Sequence, residues 1–203
     1  MVDDWAKTIL EIDLIDGLRH GVCVSNLTYL IAKKLGLSDE ECYNLAVAGM
    51  VHDIGKLRLS SYLYGRNSNG MIIEEIQYMR KHSKLGYEIL KKYSYNDAIC
   101  EAVLYHHENY DGSGYPDNLK AEKIPLGARI MRVADAFIAL ISERPYREAY
   151  DFDSAISIMI EDVKEYDMQV FLAFMDVIHE DGMLEKIRQD QMSIDYDMEE
   201  LNF

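Results

Sequence analysis

"SDEECYNLAVAGMVHDIG", residues 38–55, opens on a helix-start signal and closes on two groups that hydrocarbon does not accept. Ser38 and Glu41 stand in capping-box spacing, where a hydroxyl and a carboxylate satisfy backbone donors left unpaired by the first helical turn. The apolar run behind them reads as a buried helix, and His52 and Asp53 end it. Burying an imidazole and a carboxylate without partners costs on the order of several kcal/mol, so something must compensate. A structural hydrogen bond would do so, and so would a metal ion. Taken alone, the pair does not choose between them.

On either side of this stretch the pattern stays helical. Residues 5–18 carry Ile9, Ile12, Leu10, Leu14 and Leu18 at three- and four-residue spacings, and His20 follows that helix. A second helix runs from about 22 to Gly36. A third runs through "MIIEEIQYMRKHSKLGYEILKKY", weakened at Gly86, and a fourth through "NDAICEAVLYHHENY" up to a glycine-rich turn. Pro125 suits the first turn of the helix over 125–142. Further helices are expected at about 151–165 and 167–180. With no period-2 strand set and no internal repeat, the expected fold is an all-α helical bundle in one domain, residues 1–181. The loop 60–70 and the acidic stretch 182–203, read as a tail or an extra helix, are the least ordered candidates.

At 203 residues the chain can bury a real core. Its formal charge of −15 excludes DNA or RNA as a non-specific partner, because phosphate binding leans on Lys and Arg clusters. The charge does not exclude a small anionic substrate, since divalent cations can invert the field of one acidic pocket. No apolar run is long enough for a membrane, and no secretory signal opens the chain. Cys23, Cys42 and Cys100 lack metal or disulfide spacing and read as core residues in a reducing compartment, so a cytoplasmic location is expected.

Only six histidines occur, and two of them, His106 and His107, are adjacent. Neighbours on a helix point about 100° apart and make no single packing face, so a solvated helix end is the bland reading. Asp135 is enclosed by "IMRVADAFIAL", and His82 lies within another helix. Together His20, His52, Asp53, His82, His106, His107 and Asp135 supply imidazoles and carboxylates from five helical segments. Such a set suits Mn, Fe or Zn, and a bundle can aim it inward from several helices. Spacing alone makes the metal reading only moderately specific.

The ordered series resembles the HD-GYP family of metal-dependent phosphohydrolases, a branch of the HD superfamily. The resemblance lies in "HDIGK" (52–56), "HHENYDGSGYP" (106–116), "IPLGARIMRVAD" (124–135) and "RPYR" (144–147), with His20 and "KHSKLG" (81–86) in order. It spans roughly residues 16 to 175. It implies that His20, His52, Asp53 and Asp135 hold one divalent ion, and that His82, His106 and His107 hold a second, with Asp53 bridging. Asp16, one turn before His20, takes the place of a glutamate that holds a third ion in some members. Fe and Mn fit the nitrogen and oxygen donors best. The implied reaction is hydrolysis of cyclic di-GMP to pGpG and, in some members, on to GMP. Lys56 would steady charge on the phosphate or leaving oxygen; a helix-end lysine is the plainer reading. Gly112 and Gly114 would shape the rim, Tyr115 would face a guanine, and Arg144 and Arg147 would bind phosphate or a guanine edge. Arg129 and Arg132 read as structural ion pairs, and His179 as an ordinary histidine.

Three departures from the family stand out. "HGVCV" puts Cys23 where arginine is usual, "LRLSSYLYGRNSNGM" replaces a proline- and lysine-bearing loop, and Ile138 replaces an aspartate. These bear on rate and substrate more than on the metal ligands. Two alternatives stay open: hydrolysis of another cyclic dinucleotide or nucleotide phosphate, and a weakly active sensor that docks on a signalling protein. The stretch before Asp16 is too short for a sensory domain, so the chain is expected to stand alone or to be the output part of a longer polypeptide. Apolar faces of the terminal helices suit a homodimer and intramolecular packing equally well.

Overall fold

The computed structural model describes residues 4–63, 78–143 and 147–189, with side chains from Gly17 to Leu59 in the first stretch and throughout the other two. Eight α-helices order the described residues: α1 (Asp4–Lys34), α2 (Asp39–Val51), α3 (Lys56–Leu63), α4 (His82–Lys92), α5 (Asp97–Tyr105), α6 (Leu126–Ile141), α7 (Phe152–Glu161) and α8 (Met168–Ile178). No strand is present among them. Their starts follow the sequence: Ser38 and Glu41 form the complete capping box of α2, and Asn96, Asp151 and Asp167 cap α5, α7 and α8 through side-chain oxygens.

Helix α6 is the axis of the bundle. It packs against α1, α5, α7 and α8, and α1 lies along α2. Val24, Leu27 and Ile31 of α1 share one core with Ile130, Met131, Phe137 and Ile138 of α6, with Phe174 of α8 edge-on to Phe137 at 5.0 Å. Each such side chain, fully buried, contributes about 1.5–3 kcal/mol. Cys23, Cys42 and Cys100 are buried and form no disulfide among the described residues. No helix among the described residues is long and apolar enough to cross a membrane.

Three expectations change. The helices expected on either side of His20 are one continuous α1, and His20 sits inside it. Gly21 does not end the helix; a Cβ there would lie 2.7 Å from the Met50 carbonyl oxygen, and one on Gly49 would lie 2.9 Å from the Ser25 Cα. The two glycines let α1 and α2 touch backbone to backbone, and that contact outweighs their poor helix propensity. The helix expected over 71–93 is interrupted: residues 78–79 are helical, Arg80 and Lys81 form a turn, and α4 starts at His82 with Gly86 comfortably inside it, while 71–77 lie outside the described residues. Of the loop expected at 60–70, residues 60–63 belong to α3 and the rest lie outside the described residues. Beyond α8, residues 183–189 are helical and Ile187 joins the core beside Cys23, while 190–203 are not described.

Candidate metal centre and adjoining groove

The bundle gathers the predicted polar residues at helix ends and on one inward face. His52 caps the C-terminus of α2, Asp53 follows in the turn, Lys56 starts α3, and His82 starts α4. His106 caps α5, His107 comes next, and His20 and Asp135 face in from α1 and α6. Gly55 makes the junction possible: a Cβ there would stand 1.9 Å from the His82 carbonyl oxygen, so the turn after Asp53 and the start of α4 are in backbone contact.

Three of the imidazoles are oriented by backbone carbonyls one turn earlier. Nδ1 of His52, His82 and His106 each lies 2.7 Å from the carbonyl oxygen three residues earlier, of Gly49, Met79 and Val103 respectively. A carbonyl only accepts, so each Nδ1 carries the proton, and Nε2 of a neutral ring presents its lone pair. Three Nε2 atoms then meet: His82 to His106 at 3.3 Å and His82 to His107 at 3.1 Å. Lone pairs of His82 and His106 facing each other at that distance make no hydrogen bond. A cation placed among them turns the repulsion into ligation.

The other half of the cluster carries the acids. His20 Nε2 is 2.9 Å from Asp135 Oδ1, and His52 Nε2 is 3.4 Å from Asp53 Oδ2 and 3.7 Å from Asp135 Oδ1. Asp53 reaches both halves, its Oδ1 lying 3.4 Å from His82 Nε2. That oxygen is buried with no hydrogen-bond partner, as is His20 Nδ1. Lys56 Nζ sits on Asp53 Oδ2. An orphaned buried carboxylate oxygen amid converging nitrogen donors fits a divalent cation well. Three sets of donor atoms, each within 4.8 Å, recur in the cluster: His82, His106 and His107; His20, His52 and Asp135; and His52, Asp53 and His106.

Electrostatics separates the halves. Burial holds His82 below its ordinary range and His106 far below it, and brings His107 down to about 3. Burial acts on His52 in the same direction, but Asp53 and Asp135 outweigh it and raise the imidazole to about 9. Burial pushes the Asp53 and Asp135 carboxyls up, and their neighbours win; His52 and Lys56 hold Asp53 well below the carboxylate range, and the His20 hydrogen bond with the charge of His52 does so for Asp135.

Beside the cluster lies a groove of about 420 Å³, with His20, Asp53, Lys56, His107 and Asp135 on its floor. Ala136, Ala139 and Leu140 of α6 and Ile158 of α7 make an apolar wall, and Asp162 and Tyr166 also line it.

Three comparisons bear on this geometry. A family model described as an HD domain matches residues 6–170. The cyclic di-GMP phosphodiesterase response regulator RpfG of Xanthomonas campestris is 42% identical over 137 residues, 66% of this chain and 36% of that protein. The chain belongs to the HD-domain family, in its HD-GYP branch. The 3'3'-cGAMP-specific phosphodiesterase 1 of Vibrio cholerae is 35% identical over 157 residues, 75% of this chain and 36% of that protein. Among solved structures, Bd1817, an HDG"Y"P protein from Bdellovibrio bacteriovorus, shares the fold with a TM-score of 0.63 and 23% identity, covering 78% of this chain and 51% of that one. The chain thus spans little more than a third of the length of these curated relatives.

The HD-GYP signature turn is held by residues that the sequence reading passed over. Glu108, 1% exposed, accepts from the backbone N–H of Asp117 at 2.7 Å and Leu119 at 3.0 Å, and burial raises its pKa. Its place between His107 and the glycines was the available hint. Gly112 has φ +87, and a Cβ on Gly114 would lie 2.2 Å from the Asn109 nitrogen, so both glycines are demanded by the backbone. Tyr115, expected to face a guanine, stacks on His107 at 4.7 Å with the Arg80 guanidinium 5.1 Å from its ring centre. Arg147, expected to bind a ligand, lines the groove, and it also donates through Nη1 and Nη2 to the Ala139, Leu140, Ser142 and Glu148 carbonyls, closing the C-terminus of α6. Arg144 lies outside the described residues, as does the Asp16 side chain, though its backbone belongs to α1.

Arg129 and Arg132 pair with Asp167 and Glu165, as their positions suggested. His179 caps α8 with Nδ1 on the Met175 carbonyl, away from the cluster. Cys23 is buried at the pocket closed by Met183 and Ile187, where an arginine's charge would have no water. Ile138 is buried in the apolar core.

Proposed function

We propose that this domain hydrolyses cyclic di-GMP, using two divalent ions held by the histidine–aspartate cluster. The observation that carries the reading is the convergence of proton-free imidazole nitrogens on the orphaned Asp53 oxygen at the floor of an open groove. Curated relatives named cyclic di-GMP phosphodiesterases, at 28–42% identity, support the substrate. Relatives named 3'3'-cGAMP-specific phosphodiesterases keep that dinucleotide as the second reading.

His20, His52 and Asp135 would hold one ion and His82, His106 and His107 the other, with Asp53 shared. Fe(II) and Mn(II) suit these donors, and Asp16 is the residue for a third ion. Bound there, the ions would supply an acidified water as nucleophile and Lewis acidity toward the phosphate. The protein's own groups do the rest. The Nδ1 hydrogen bonds to backbone carbonyls keep the rings aimed and basic at Nε2. Lys56 supplies a fixed positive charge beside the reacting phosphate, and the apolar wall of the groove takes up a base. Water adds across one phosphodiester, the bond from phosphorus to the ribose 3' oxygen breaks, and linear pGpG results; a second round on that product gives GMP.

The test is anaerobic reconstitution with Fe(II) or Mn(II), incubation with cyclic di-GMP, and separation of products beside a metal count. Metal-dependent pGpG or GMP is expected. A fully metal-loaded protein that leaves cyclic di-GMP intact would overturn the reading and pass the site to another nucleotide or to a binding role.

A further inference from the structure

The floor of the groove accounts for a phosphate, and the wall for an apolar ring face. Neither accounts for Asp162. This residue follows the last turn of α7, its backbone N–H on the Ile158 carbonyl, and it lines the groove with Ile158 and Tyr166. Asp162 is exposed, and its carboxylate makes no hydrogen bond or ion pair with any other described residue. Charged neighbours along the chain are already engaged: Glu165 with Arg132 and Asp167 with Arg129. The carboxylate does act on Tyr166, whose hydroxyl is pushed up by burial and by nearby Glu165 and Asp162, with Arg132 opposing.

An unpaired carboxylate is an odd lining for a groove that receives a dianion, because it repels both phosphates. It becomes an asset only if a neutral part of the substrate brings donors to it. Among the nucleobases guanine does so best: N1–H and the N2 amino group lie side by side on one edge and match the two oxygens of a carboxylate. Adenine presents a lone pair at N1 and no 2-amino group, so the same carboxylate would face an acceptor. A site built to receive hydrogen bonds rejects the analogue that lacks the donors more sharply than an apolar pocket rejects an added group.

We propose that Asp162 is the base-reading residue of this groove, accepting from N1–H and N2–H of a guanine laid along Ala136, Ala139, Leu140 and Ile158, and so selects guanine over adenine. This rests on the phosphodiesterase reading above and deepens it. No bond is made or broken by Asp162; it is a specificity residue.

The test uses the metal-loaded protein and Asp162→Asn and Asp162→Ala variants, with Glu161→Gln as a control on the neighbouring exposed carboxylate. The first readout is the ratio of kcat/KM for cyclic di-GMP to that for cyclic di-AMP. It should fall about tenfold or more in both Asp162 variants and hold in the control. The second readout needs no cyclic dinucleotide: the ratio of inhibition constants of GMP and AMP against hydrolysis of bis(p-nitrophenyl) phosphate. It should move in parallel, with metal content and melting temperature unaltered. Both ratios staying within about twofold of the unsubstituted protein would overturn the assignment. If cyclic dinucleotides are never cut while GMP inhibition depends on Asp162, the substrate reading fails and the base site stands.

Discussion

The two halves of the histidine–aspartate cluster are built alike and charged differently. His82, His106 and His107 form an all-imidazole half whose members are driven neutral by burial. His20, His52 and Asp135 form a half in which the neighbouring Asp53, together with Asp135, keeps a proton on His52 to about pH 9. One half offers bare lone pairs at neutral pH, and the other must release a proton before it can ligate. Two neighbouring ions therefore meet different donors, and Asp53, touching both, couples them.

Breaking the coupling should have the largest effect. Asp53→Ala removes the shared carboxylate and should abolish hydrolysis and empty both positions, read by elemental analysis and product chromatography; normal turnover in a metal-loaded variant would refute the shared ligand. His82→Ala strikes one half only. It should leave about one ion per chain and weaken the lost position by at least about 100-fold, taking losses from outer-shell changes as the lower bound. If His82→Ala strips both ions equally, the halves are not separable. Asp16→Ala should leave both ions in place, and loss of all metal would make that residue central.

Acidity sharpens the same contrast in the metal-free protein. A histidine raised in the fold stabilises it fully below the unfolded value of about 6.5 and loses that contribution as pH climbs toward 9. Histidines depressed in the fold do the reverse, and their penalty grows as pH falls below about 6.5. With three such rings against one, the melting temperature in chelator should peak near neutrality and fall on both sides. A steady rise from pH 7 to 5 would contradict the assignment. The smallest change expected is Glu108→Gln: one buried acceptor becomes a donor facing the Asp117 and Leu119 N–H groups, costing about 1–3 kcal/mol with little change in metal content, read by thermal unfolding.

Much of this was legible in the sequence because it is local. Capping residues, apolar periodicity and the ordered HD, HH and Asp135 signals are written within single helices, and the helices did form near where those signals lie. What escaped depends on contacts between distant segments. Gly21 looks like a breaker until Met50 is seen against it, and Gly86 looks weak until Val103 and Gly55 fill the space around it. That Arg147 also closes the open end of α6 shows only once that helix end is placed beneath it. The Cys23 departure makes sense only once residues 183–189 fold back over α1.

The hydrogen bonds from Nδ1 of His52, His82 and His106 to carbonyls one turn earlier have a mechanical consequence. The His52 and His106 rings are tied to the last turns of α2 and α5, and the His82 ring to the turn that leads into α4, so no ring can swing away unless its turn loosens. A metal gripping the rings from the other side would clasp three chain ends that otherwise fray independently. Loss of the ion and opening of those turns then become one event, and amide exchange at the ends of α2 and α5 would report metal release as faithfully as any metal assay.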